Sequence, residues 1–176
     1  MIMTNETIKN IISRRSCKKF KSDPVPQEMI DTVVEAGLYA ASGMGKQSPI
    51  LIVVTDRTIR EKLSKLNAKY DQKNRPDPFY NAPVVIPVLA DKSIPTYLYD
   101  GSLVLGNMML AAHSLGLGSC WIHRAKEVFE DAEGQEILRE LGILGEYEGI
   151  GNLVLGYPEF INSNIPARNE NRVFRI

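Results

Sequence analysis

The most constraining stretch of the chain is residues 103–115, which is apolar on almost every side of a helical wheel. A helix of that kind cannot lie on a small sheet with one face in water; it needs cover on most sides. At thirteen residues it is too short to span a bilayer, and it carries Asn107 and His113, so a buried helix is expected rather than a membrane span. One small sheet cannot supply that much cover. A second copy of the chain would, and a homodimer is therefore expected.

The elements around this helix read as a mixed α/β sandwich. A first helix is expected over residues 5–13 with Thr4 as its cap, Ile8, Ile11 and Ile12 falling on one face. A second starts at Pro26, with Met29, Val33, Gly37 and Ala40 as its inner stripe, and stops in Ser42-Gly43-Met44-Gly45. Residues 49–54 (PILIVV) do not alternate and read as a strand buried on both faces. Ile59, Leu63, Leu66 and Tyr70 define a third helix, and residues 71–83 a polar loop. Residues 83–89 form a second strand, whose Pro87 predicts an edge or a bulge. Further strands are expected at residues 119–122, 152–155 and 172–176, with a short helix at 133–141. The last strand follows a polar tail over residues 159–171 and is expected to reach a partner. There is no internal repeat or linker, so residues 1–176 read as one domain.

Charge and cysteine usage exclude several functions. Lys plus Arg and Asp plus Glu both number 21, so no global field draws the chain to nucleic acid or an acidic membrane. Any anion site must be local. Two cysteines and two histidines make neither a disulfide framework nor a zinc site. The start lacks a cationic segment followed by an apolar one, and a cytoplasmic protein is expected.

Three segments carry chemistry. Arg14-Arg15-Ser16-Cys17-Lys18 offers two guanidiniums, a hydroxyl and an ammonium within five residues, the donor set a phosphate monoester wants. The same run also suits a solvated helix C-terminus. Four neighbouring cations would lower the Cys17 thiol pKa. Residues 41–49 join a helix end to a strand through two glycines, with Ser42 and Gln47 as polar side chains. Residues 117–124 hold the one Trp of the chain, and their backbone amides could face a flat ring as readily as a strand end.

Taken in order, these segments resemble the nitroreductase family. The resemblance rests on residues 14–20 and 41–49, on Phe79-Tyr80-Asn81-Ala82-Pro83, on the 103–115 helix running into residues 116–122, on Leu155-Gly156-Tyr157-Pro158, and on a basic tail around Arg168. It implies an α+β fold: a three-layer sandwich, its mixed and mostly antiparallel sheet flanked by helices, in an intertwined homodimer whose C-terminal strand reaches the partner. It implies two FMN sites at the interface. Arg14, Arg15, Ser16 and Lys18 would hold the FMN phosphate and ribityl chain, and Arg168 would return to the phosphate. Ser42, Gly43, Met44 and Gln47 would reach the flavin of the other subunit. Asn67 would lie near the ring, and the backbone of Trp121, Ile122, His123 and Arg124 along the isoalloxazine and its N5 edge.

The activity implied is hydride transfer from NADH or NADPH through the flavin to a small acceptor, a nitroaromatic or quinone, in ping-pong order and without a protein acid or base. A flavin-binding storage or sensor protein without turnover is the alternative. Three departures stand out. Gly45 replaces an Asn of many relatives, Pro166 replaces a Lys, and His123 and Arg124 replace smaller or acidic residues at the flavin edge.

Overall fold

A computed structural model describes residues 4–161 and 164–176; residues 1–3 at the start and 162–163 of the polar tail lie outside the described residues. Four strands form one sheet in the order β1 (Pro49–Leu51), β2 (Val84–Asp91), β4 (Tyr147–Gly156), β3 (Gly118–Ile122). Every neighbouring pair of strands is antiparallel. Among the described residues, the parallel contribution is a single bridge between Ser16 and Ser119. Helices α3 (Arg57–Lys69), α5 (Ala125–Glu130) and α6 (Ala132–Glu140) cover one face. Helices α2 (Gln27–Leu38) and α4 (Tyr97–Ser114) cover the other, with α1 (Glu6–Ser13) at the far end of α4. Two cores result. Val85, Leu89 and Val154 face α3, α5 and α6, and Ile86, Val88 and Leu153 face α2 and α4. This is the expected three-layer α+β sandwich.

The strand carrying Pro87 is internal, and the expected doubly buried strand at residues 49–54 is the edge. Pro87 explains why that edge looks short. Val54 and Val85 exchange two backbone bonds, at 2.9 and 3.1 Å. At the next such pair, Ile52 donates to the Pro87 carbonyl at 3.0 Å, but proline has no N–H to return. The register runs on, yet the ladder loses one bond between Leu51 and Val54. The expected bulge is present one residue further on. Val88 pairs with Gly151 and Leu89 with Gly149, which leaves Ile150 as the extra residue of β4.

Other differences are smaller. Asn5 caps α1, accepting from the Ile8 N–H at 2.9 Å, in place of Thr4. Gly118 and residues 147–151 extend two strands beyond their expected ends, and α5 was not foreseen. Residues 172–176 form no strand within the chain; Val173 and Phe174 are exposed. Helix α4 buries Val104, Leu105, Met108 and Ala112 but exposes Leu98, Tyr99 and Leu103, so one chain covers only half of it. Ile11 and Ile12 of α1 are exposed as well. Among the described residues, no helix is long and apolar enough to cross a membrane.

Candidate functional site

The basic segment leaves α1 at Arg14 and turns extended. Ser16 bridges to Ser119, and the Cys17 N–H donates to the Ser119 carbonyl at 2.9 Å, so the segment lies alongside β3. The sequence already stacks its cations here; the backbone now aims them. Arg15 Nη1 donates to the carbonyls of Ile12 and Arg14 at 2.8 and 2.6 Å. Arg14 Nη1, Arg15 Nε and Arg15 Nη2 are buried and have no hydrogen-bond partner. Buried charged donors are costly to leave unmet, and three in consecutive residues mark a place for an anion. Ser16 and Lys18 are exposed beside them. This donor set fits a phosphate monoester.

The field of the segment is felt nearby. Ser13 Oγ lies 2.8 Å from His113 Nε2, and burial, then Arg14 and Arg15, hold the His113 pKa below its ordinary value. The Cys17 thiol behaves contrary to expectation. It is buried, donates to the Lys19 carbonyl at 3.0 Å, and burial raises its pKa. Desolvation outweighs the bond to the Lys19 carbonyl, so Cys17 is a packing residue. Burial pushes the Cys120 thiol up too.

At the end of β3 the chain turns a corner into α5. Trp121 is half-buried against the α4 side and Ile122 is buried. Arg124 takes the left-handed conformation at φ 81°, which is unfavourable for a side chain without local support. Two contacts supply that support. Asn67 Nδ2 on α3 donates to the His123 carbonyl at 2.9 Å, and Arg124 Nη1 donates to Glu127 Oε1 at 2.6 Å. Burial raises the Glu127 pKa, but the hydrogen bond from Arg124 overrides it and holds the carboxyl below its usual range. Asn67, Lys73, Arg75, Ile122, His123 and Arg124 line a cleft of about 170 Å³. Its far wall is held by Arg75, which grips Asp71 at 2.7 and 2.9 Å, donates to the Tyr80 hydroxyl and lies over the Tyr80 ring.

The glycine segment forms one turn of 3-10 helix at Gly43–Gly45. It is bonded to the first turn of α4 through Asp100, whereas Ser13 at the head of the basic segment is bonded to His113 in the last turn. The two attachment points are thus about 20 Å apart along the helix axis. Within one chain the basic segment and the glycine turn lie at opposite ends of α4.

A family model described as the nitroreductase family matches residues 11–157. The chain belongs to the nitroreductase family. A protein of Archaeoglobus fulgidus that bears an NAD(P)H nitroreductase name is 32% identical over 160 residues, covering 88% of this chain and 86% of its own. A similarly named protein of Methanothermobacter thermautotrophicus is 32% identical over 120 residues, and that match spans only 60% of its length. The crystal structure of a nitroreductase with bound FMN from Bacteroides fragilis superposes with a TM-score of 0.86 at 26% identity, covering 98% of this chain and all of that one. A second FMN-bound nitroreductase, from Desulfitobacterium hafniense, gives a TM-score of 0.88 at 25% identity over 99% of this chain.

In this nitroreductase-family chain, the bridge between Ser16 and Ser119 sets Arg14, Arg15, Ser16 and Lys18 alongside β3, the strand that carries Trp121 and Ile122 and leads into His123 and Arg124, and Asn67 bonds to the His123 carbonyl. Ser42, Gly43, Met44 and Gln47 stand apart, and exposed Arg168 donates back to the Pro166 carbonyl at 3.2 and 2.6 Å. Among the described residues, no group of three or more His, Cys, Asp or Glu gathers as a metal site. Sequence reasoning missed Asp100, Arg75 and Glu127. A lone acid in the first turn of a highly apolar helix was the legible signal for Asp100; Arg75 and Glu127 gave none.

Proposed function

We propose that the chain is an FMN-dependent oxidoreductase that takes hydride from NADH or NADPH and reduces a small acceptor such as a nitroaromatic or a quinone. Residues 1–176 act as a single FMN-binding domain. The observation that carries the reading is the row of buried, unmet donors on Arg14 and Arg15 beside the start of β3. A phosphate monoester supplies the acceptors they lack. When bound, FMN supplies the two-electron chemistry, alternating between donor and acceptor in ping-pong order.

The residues of the chain bind and orient. Arg14, Arg15, Ser16 and Lys18 take the phosphate and ribityl chain. Asn67 fixes the His123 carbonyl and with it the backbone from Trp121 to Arg124 against the ring. The Arg124 guanidinium, tied to Glu127, borders the cleft where a substrate would enter.

The functional unit in this reading is a homodimer. The glycine turn, at the far end of α4 from the basic segment, serves the flavin of the partner. Exposed Leu98, Tyr99 and Leu103 on α4, Ile11 and Ile12 on α1, and Val173 and Phe174 in the tail support it, since each is apolar surface that a second copy would cover. The tail would add to the free β1 edge of the partner, and Arg168 would be carried with it to the phosphate.

The test begins with the purified chain and its extracted chromophore, followed by anaerobic mixing with NADH and with NADPH. Bleaching of a bound FMN, then recovery on adding a quinone or nitroarene, is expected. A flavin that binds but never bleaches would instead mean storage or sensing. A colourless monomer indifferent to added FMN would end the reading.

A further inference from the structure

The glycine turn holds a conformation that its sequence does not favour. Met44 and Gln47 are left-handed, at φ 53° and 48°, and Gly45 between them is at φ 62°. Glycine accepts this freely; methionine and glutamine do not, and such residues persist only where the surroundings over-determine them. The buried carboxylate of Asp100 does so here. Its Oδ1 accepts from the Gly43 N–H at 3.0 Å. Its Oδ2 accepts from Thr96 Oγ1 at 2.9 Å and from Ser48 Oγ at 3.4 Å. One side chain therefore touches the residue entering the turn, the residue leaving it, and the start of α4.

Two close approaches make this junction rigid. A Cβ placed on Gly43 would lie 2.3 Å from Thr96 Oγ1, so the turn packs directly on the residue preceding α4. A Cβ on Gly101 would lie 2.6 Å from Ile150 Cγ1, so the next residue of α4 is seated on the bulge of β4. Within the turn, Ser42 Oγ accepts from the Gln47 N–H at 3.0 Å and closes the loop on itself. Met44 is left outside, 78% exposed. No other acidic group shares these donors among the described residues.

We infer that Asp100 is the positioning residue of the flavin site: by tying Gly43, Ser48 and Thr96 to one buried carboxylate, it holds the strained turn in the shape that presents Ser42, Met44 and Gln47 to the flavin of the partner chain. The inference rests on the FMN reading above. Asp100 itself touches no cofactor. Its carboxylate is met by an amide, two hydroxyls and the positive end of α4 rather than by a cation.

Asp100→Ala and Asp100→Asn separate positioning from plain stability. Asparagine keeps an oxygen for the Gly43 N–H, and its NH2 can donate to the Thr96 and Ser48 hydroxyl oxygens, so the three ties persist. Amide exchange is read on the FMN-free protein, and FMN affinity by fluorescence titration well below the melting temperature. Asp100→Ala is expected to speed exchange at Gly43 and Gln47 at least tenfold while β2 and β4 stay protected, and to weaken FMN at least tenfold. Asp100→Asn is expected to remain within threefold of the parent in both. A general loss of packing would instead speed exchange throughout, and Leu138→Ala, on the opposite sheet face, calibrates that pattern. Should Asp100→Ala fail to fold, Thr96→Val combined with Ser48→Ala removes two of the three ties, and at least a threefold loss in both readouts is expected. Unchanged FMN affinity in Asp100→Ala, or in the double variant where Asp100→Ala does not fold, or exchange raised equally everywhere, overturns the inference while leaving the FMN reading intact. A parent protein that binds no FMN overturns both.

Discussion

Asn67 and His123 are joined across 2.9 Å by a side-chain amide and a backbone carbonyl, so that α3 holds the corner where β3 turns into α5. Asn67 is 1% exposed. Asn67→Ala should destabilise the FMN-free protein by roughly 0.5–1.5 kcal/mol, the net worth of an intramolecular hydrogen bond. Urea unfolding measures this, and a loss below ~0.5 kcal/mol would show the corner to be held by other contacts.

Arg14 and Arg15 each carry buried donors without acceptors. Arg14→Ala and Arg15→Ala should each weaken FMN binding by about 1.5–3 kcal/mol, the worth of a charge-assisted hydrogen bond. Because an unmet donor is also removed, the FMN-free Arg14→Ala protein should be no less stable than the parent, whereas Arg15→Ala also loses its bonds to the Ile12 and Arg14 carbonyls. Fluorescence titration reads the first effect and thermal unfolding the second. Unaltered affinity in both variants would sink the phosphate assignment.

His113 offers a spectroscopic check on the same anion. In the FMN-free protein, burial and the two arginines depress its pKa. A depressed histidine contributes stability that is present above its unfolded pKa, near 6.5, and lost as pH falls through the folded value. His113→Gln should therefore blunt acid destabilisation below about pH 6.5. Bound phosphate would offset Arg14 and Arg15, so the imidazole pKa, followed by NMR, should rise when FMN is added.

Arg60 and Asp77 form a largely buried ion pair at 2.7 Å, and Asp77 also accepts from Ser64 Oγ and from the amides of Phe79 and Asn81. Burial pushes the Asp77 pKa up, but Arg60 and these donors outweigh it and leave it lowered. Its stabilising effect is complete above the ordinary carboxylate range and fades as pH falls through the lower folded value. Asp77→Asn should flatten that acid limb and cost about 3 kcal/mol near neutral pH, the low end for a broken buried pair. A pH series of urea midpoints tests both.

Much of this was readable before any coordinates. The apolar stripe of α3 and the all-round apolarity of α4 are periodic signals, and periodicity survives folding. The basic segment was legible because a phosphate needs several donors close together in sequence. Most of what escaped depends on burial or on contacts between distant residues. Pro87 in an internal strand defied the local rule because its missing N–H falls where the edge strand can spare one bond. Cys17 looked activated by its neighbours in sequence, yet burial sets its pKa. Arg75 grips Asp71 from within a polar loop that carries no pattern at all. Asp100 lies 57 residues from the amide it accepts from, and no local rule links them.

In the proposed homodimer, the placement of the basic segment and the glycine turn at opposite ends of α4 has a genetic counterpart. A protein defective only at Arg15 and another defective only at Asp100 would each fail in both sites of a self-pair. Brought together in one cell, they would form mixed pairs in which one site collects both lesions and the other receives none, so that two inactive alleles restore partial function.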